Sequence, residues 1–127
     1  MIRICPSILS CPADDYRTAV RQMMQGGADW IHLDVMDGQF VPPITFGADL
    51  AGSLRSLGDV PLEAHLMTLT PEAHFESFID AGCKRIIFHL EAVRHPHRLA
   101  QQLRSRGVLA GVALNPGTPY RDLEPLI

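Results

Sequence analysis

Two short apolar runs carry residues whose types and spacing suit chemistry: Ile31-His32-Leu33-Asp34-Val35-Met36 and Leu62-Glu63-Ala64-His65-Leu66-Met67. Successive side chains of an extended strand point to opposite faces. Ile31, Leu33 and Val35 therefore share one face, and His32, Asp34 and Met36 share the other. The second run repeats this, with Leu62, Ala64 and Leu66 opposed to Glu63, His65 and Met67. In a third run Ile86, Phe88 and Leu90 oppose Ile87 and His89, and Ser7 lies just past an N-terminal run. Two imidazoles and a carboxylate gathered on one face would cost about several kcal/mol to bury unless something satisfies them. A divalent cation satisfies all three, and His32, Asp34 and His65 form a ligand set suited to zinc or to iron, manganese or cobalt.

Other polar residues have plainer explanations. A single strand histidine such as His89 is most often a hydrogen-bonded core or rim residue. Met36 and Met67 could wall the site, although methionine usually fills cores. His74, His95 and His97 fall on helices or their approaches and read as surface. Asp37-Gly38 reads as a turn. Cys11 has no base nearby in sequence, so a nucleophile role is not expected.

The elements that must position these residues follow from the punctuation of the chain. It has 127 residues, 46% hydrophobic and 20% charged, with 10 Gly and 10 Pro, the composition of one globular domain over residues 1–127. A net charge of -3, from 11 Lys+Arg and 14 Asp+Glu, gives no basic field for nucleic acid. The apolar runs fall well short of the ~20 residues a membrane helix needs. The start of the chain lacks the long apolar run of a signal peptide, so the cytosol is the expected address. Three cysteines without C-x-x-C spacing, Cys5, Cys11 and Cys83, read as reduced packing residues.

Short apolar runs alternate with amphipathic stretches, the rhythm of βα units. Strands are predicted at Ile2–Cys5, Asp29–Val35, Pro61–Leu66, Arg85–Leu90 and Val108–Leu114. Helices are predicted at Ala13–Gln25, Gly47–Ser56, Pro71–Asp80 and Pro96–Ser105, with a fifth beginning near Pro119. Gly26-Gly27, Gly82 and Gly107 mark helix ends, and Thr70-Pro71-Glu72 marks a start with Thr70 as cap. Strands separated by helices imply an α/β fold on a parallel sheet. Ser7, His32, Asp34, His65 and His89 then fall near the carboxyl ends of successive strands, where such folds place ligands.

Five segments, in this order, resemble the ribulose-phosphate 3-epimerases. They are Pro6-Ser7-Ile8-Leu9-Ser10, Gly27 through Gly38, Phe40-Val41-Pro42, His65-Leu66-Met67, and Gly111-Val112-Ala113-Leu114-Asn115-Pro116 with Thr118-Pro119. The D-V-M-D-G-x-F-V-P stretch is the specific one. Pro43 stands where the family pattern has asparagine. The resemblance implies a (β/α)₈ TIM barrel, of which this chain would supply about five strands and four to five helices. It implies a divalent metal held by His32, Asp34 and His65, Asp34 as the proton-abstracting carboxylate, and Ser7 and His65 as substrate contacts. The substrate would be a sugar phosphate, interconverted between D-ribulose 5-phosphate and D-xylulose 5-phosphate.

The residue types make that chemistry intelligible. Inverting carbon 3 of a 2-ketose requires removing a proton beside a carbonyl and returning one to the other face, while a cation at the oxygens stabilises the charge formed between. The family barrel is about twice this length, in line with ~250 residues for an eight-stranded barrel. Its second catalytic aspartate and phosphate-gripping loops lie in the part with no counterpart here, so vigorous turnover by this chain alone is not expected. Two other readings remain: an epimerase of a related ketose phosphate such as allulose 6-phosphate, and a non-catalytic metal-binding half-barrel. Open strand edges lead us to expect a homo-oligomer.

Overall fold

The computed structural model describes residues 2–127. Four parallel strands, β1 (Ile31–Met36), β2 (Leu62–Met67), β3 (Arg85–His89) and β4 (Leu109–Ala113), form one sheet in the order β1-β2-β3-β4. Helix α1 (Tyr16–Gln25) precedes β1, and α2 (Ala48–Leu54), α3 (Phe75–Asp80) and α4 (Pro96–Ser105) fill the successive crossovers. Strand order following chain order, with a helix between neighbours, is the arrangement from which (β/α)₈ barrels are built. No described helix is long and apolar enough to cross a membrane.

The first expected strand, Ile2–Cys5, does not form, so the sheet has four strands rather than five. The segment does run beside β1 and approaches a parallel ladder. Trp30 N–H donates to the Ile4 carbonyl at 3.3 Å, His32 N–H to Pro6 at 2.9 Å, and Ile8 N–H to His32 at 3.3 Å. Only Ser7↔His32 registers as a bridge. The reason is Pro6, which has no N–H to return to the Trp30 carbonyl and so interrupts the ladder one step before Ser7.

Helix ends match their punctuation. After α1, α3 and α4 the chain turns at Gly27, Gly82 and Gly107, whose φ values are 93°, 96° and 74°. At Gly82 the N–H donates to Ile79 O at 2.9 Å and the following Cys83 N–H to Phe78 O at 3.0 Å, the paired closure that satisfies the last helical carbonyls. Helix starts match less well. Thr70 makes no side-chain cap, and Pro71–His74 form a 3₁₀ turn before α3. The expected fifth helix is likewise a 3₁₀ segment, Tyr120–Leu126.

The core lies between one sheet face and the helices. Ile31, Leu33, Ala64, Leu66, Ile86 and Phe88 are fully buried there against Val20 of α1, Leu54 of α2, Phe78 of α3 and Leu103 of α4. At ~1.5–3 kcal/mol per buried large aliphatic side chain, this face fixes the register of each strand. A one-residue slip would carry its apolar set to the wrong side. The same constraint presents the alternate residues on the opposite face.

Candidate metal centre

Register brings the candidate ligands together. In the β1–β2 ladder His32 is paired with Glu63, Asp34 with His65, and Met36 with Met67. Paired residues of adjacent strands stand side by side on the same face, so Asp34 meets His65 laterally and His32 along its own strand. Asp34 Oδ1 lies 3.2 Å from His32 Nε2 and 3.3 Å from His65 Nδ1. One donor atom from each of the three residues falls within 4.8 Å of the others. Around a cation with bonds of ~2.0–2.2 Å, neighbouring donors stand roughly 3–3.6 Å apart, so the two distances to Asp34 fit a common ion. The three residues are half-buried and could hold a metal ion.

Ser7 closes the carboxylate from the other side. Its hydroxyl donates to Asp34 Oδ2 at 2.5 Å and accepts the Leu9 N–H at 3.1 Å. The neighbouring His32 and His65 rings, together with the hydrogen bond from Ser7, outweigh burial and hold the Asp34 carboxyl well below the usual carboxylate range. Asp34 is therefore ionised at neutral pH. For His32, burial disfavours the charged ring, but Asp34 and Glu63 together raise its pKa above the ordinary value.

The structure adds groups to which sequence reasoning gave no role. Glu63 is almost fully buried, and its Oε1 lies 2.7 Å from His32 Nδ1. A carboxylate only accepts hydrogen bonds, so Nδ1 of a neutral His32 carries the proton and Nε2, facing Asp34, keeps its lone pair. Arg85 donates to the second Glu63 oxygen at 2.5 Å and stacks 4.4 Å from the centre of the Trp30 ring. Strand parity placed Glu63 on the polar face, and a glutamate in mid-strand was the available signal.

His65 is backed differently. Its Nε2 lies 2.9 Å from His89 Nε2, the two ring planes are within 17° of parallel with centroids 5.0 Å apart, and Phe40 covers His89 at 4.8 Å. His89 Nδ1 faces Glu91 Oε2 at 3.3 Å. Burial and the neighbouring His65 lower the His89 pKa. His89 thus joins the cluster it was only loosely assigned to, whereas Glu91, beyond β3, carried no sequence signal.

The remaining residues lie where plainer readings put them. The Asp37 carboxylate accepts N–H groups of Gln39, Phe40 and Leu69, pinning the β1 and β2 loops together beside the site. His95 and His97 are exposed and His74 is half-buried. Cys83 is buried, with its thiol pushed up to about 12, and Cys5 and Cys11 are half-buried and free.

Known proteins resemble this chain over nearly its full length. A sequence model of the ribulose-phosphate 3 epimerase family matches residues 3–127. The ribulose-phosphate 3-epimerase of Bacillus subtilis (strain 168) is 43% identical over 124 residues, covering 98% of this chain and 57% of that protein. The enzyme of the same name from Treponema pallidum (strain Nichols) is 42% identical over 124 residues, with the same coverage of each. The chloroplastic ribulose-5-phosphate-3-epimerase of Arabidopsis thaliana is 44% identical over 125 residues, covering 97% of this chain and 44% of that protein. The chain spans about half the length of the curated relatives it matches, consistent with part of a (β/α)₈ barrel. With the metal-capable cluster on the polar face of β1 and β2 and the family match running from residue 3 to 127, the chain belongs to the ribulose-phosphate 3-epimerase family.

Proposed function

We propose that this chain carries the metal-holding and proton-abstracting part of a ribulose-phosphate 3-epimerase site, within the first part of a ribulose-phosphate-binding barrel. The observation that carries the reading is the meeting of His32, Asp34, His65 and Ser7 around one carboxylate. His32, Asp34 and His65 would hold a divalent cation; zinc, iron, manganese and cobalt all suit two imidazoles and a carboxylate. When bound, the cation would supply a Lewis acid that stabilises the negative charge formed as a 2-ketose phosphate loses its proton.

The chain's own residues supply the rest of the first half-reaction. Asp34, kept ionised by its neighbours, is the base that takes the proton from carbon 3 of D-ribulose 5-phosphate. Ser7 fixes Oδ2 of that carboxylate and, with His65, contacts the substrate. Glu63 holds His32 in the ring form that turns Nε2 inward. Return of a proton from the opposite face, which yields D-xylulose 5-phosphate, is assigned to no residue of this chain. Among the described residues β4 pairs with β3 alone, and association of copies through that open edge belongs to the same reading.

Solvent exchange tests the assignment. In deuterated buffer with zinc or manganese, the chain should introduce deuterium at carbon 3 of D-ribulose 5-phosphate, and Asp34→Asn should abolish it. A metal-loaded chain that leaves carbon 3 unlabelled, or a variant that labels as the wild type does, overturns the role of Asp34.

A further inference from the structure

Of the two candidate histidine ligands, His65 is the one without a carboxylate directly behind it, and the groups behind it form a continuous chain into a different loop. His89 is 6% exposed and sits between two partners: its Nε2 is 2.9 Å from His65 Nε2, and its Nδ1 is 3.3 Å from Glu91 Oε2. The other Glu91 oxygen is already committed. Oε1 accepts the Asn115 backbone N–H at 2.6 Å and the Thr118 hydroxyl at 2.5 Å, both in the loop after β4.

We propose that Glu91 is a positioning residue that fixes the ring form of His89, and through it of His65, while tying the loop after β4 to the metal centre. The direction of the hydrogen bonds follows from donor and acceptor chemistry. A carboxylate offers no proton, so His89 Nδ1 must carry one toward Glu91. In a neutral ring its Nε2 is then an acceptor, and at 2.9 Å it takes the proton on His65 Nε2. His65 Nδ1, the nitrogen facing Asp34, is left as the donor atom for a cation. A carboxylate stands at one remove behind His65, as Glu63 stands directly behind His32, and such supporting partners orient ligand rings and tune affinity. The pKa of Glu91 lies below its ordinary value because Thr118 and the Asn115 backbone outweigh its burial, consistent with a fixed carboxylate.

The relay deepens the metal-centre reading and rests on it only for its effect on metal affinity. Ring ¹⁵N spectra of the labelled chain at about pH 8, above the ordinary histidine range, test the relay directly, without and with zinc. His89 should carry its proton on Nδ1 in both. In Glu91→Gln the amide oxygen stays with Asn115 and Thr118, so the NH₂ group faces His89. His89 should switch to the Nε2–H form, and the zinc dissociation constant should rise about tenfold. Thr118→Val, which removes one loop anchor and touches no histidine, should leave the ring form as it is. A wild-type His89 protonated on Nε2 overturns the proposal, and that spectrum decides even if Glu91→Gln does not fold. A folded Glu91→Gln with unchanged ring form also overturns it. If the ring form switches while zinc affinity stays constant, the relay stands and the place of His65 in the metal centre falls.

Discussion

Leu33 and Asp34 are neighbours in β1, yet they belong to two different environments. Leu33 is wholly buried beneath the helices, among apolar side chains that neither ionise nor hydrogen-bond. Asp34, turned the other way, is half-buried and meets two imidazoles and a hydroxyl. One face of the sheet therefore holds the fold and the other holds the chemistry, and the alternation of a strand lets a single hexapeptide serve both. The faces also differ in how they are built. Contacts on the dry face are non-directional and shared among many residues, so any one loss is partly absorbed. Contacts on the polar face are a line of single polar contacts, from Arg85 through Glu63, His32, Asp34, His65 and His89 to Glu91, with each link depending on the next.

Substituting the two neighbours should separate stability from binding. Leu33→Ala should lower the unfolding free energy by about 2–5 kcal/mol, read by denaturant unfolding, while the folded fraction keeps its zinc affinity. Asp34→Asn should cost markedly less stability and abolish zinc binding. Equal effects of the two substitutions on both quantities would erase the distinction between the faces.

Glu63→Gln probes the polar line one step from the ligands. The amide keeps the size of the side chain but removes the charge paired with Arg85 and the obligate acceptor facing His32. Zinc affinity should fall roughly 10–100-fold, with a stability loss of about 1–3 kcal/mol from the imperfectly paired Arg85. The affinity loss should exceed that of Glu91→Gln, because Glu63 touches a ligand directly and Glu91 acts through His89.

The smallest expected effect is the pH dependence of the metal-free chain. Near neutrality the polar face titrates, whereas the Cys83 thiol in the core is held up to about 12 by burial. His32, with its pKa raised above 6.5, contributes stability that is fully present below 6.5 and lost as pH rises through its folded value. His89, with its pKa lowered from 6.5, acts oppositely: its neutral form is the favoured one, and stability is lost as pH falls below 6.5 toward its folded value. Ring titration by NMR should place the His32 midpoint above that of His89. The reverse order would contradict the hydrogen-bond assignments.

Much of this was legible in the sequence, for reasons tied to particular residues. Alternation placed His32, Asp34 and His65 on one face, because periodicity is recorded in the pattern of apolar residues; the expected carboxyl-end placement is looser, since β1 begins only at Ile31 and His32 is its second residue. The helix ends at Gly27, Gly82 and Gly107 were legible because each needs a backbone conformation that glycine alone adopts cheaply. The first strand was misread because its apolar composition is strand-like, while the missing donor of Pro6 acts only on the ladder with Trp30. The partnership of Glu63 with His32 depends on the register between β1 and β2, and that of Glu91 on two loops meeting. Both are relations between distant segments that no local pattern encodes.

The central claim is that His32, Asp34 and His65 make one metal centre, and calorimetric titration of zinc into the metal-free chain tests it most directly. Binding with measurable heat in the wild type that disappears in both His32→Ala and His65→Ala is the predicted result. An isotherm unchanged in these two variants would contradict it.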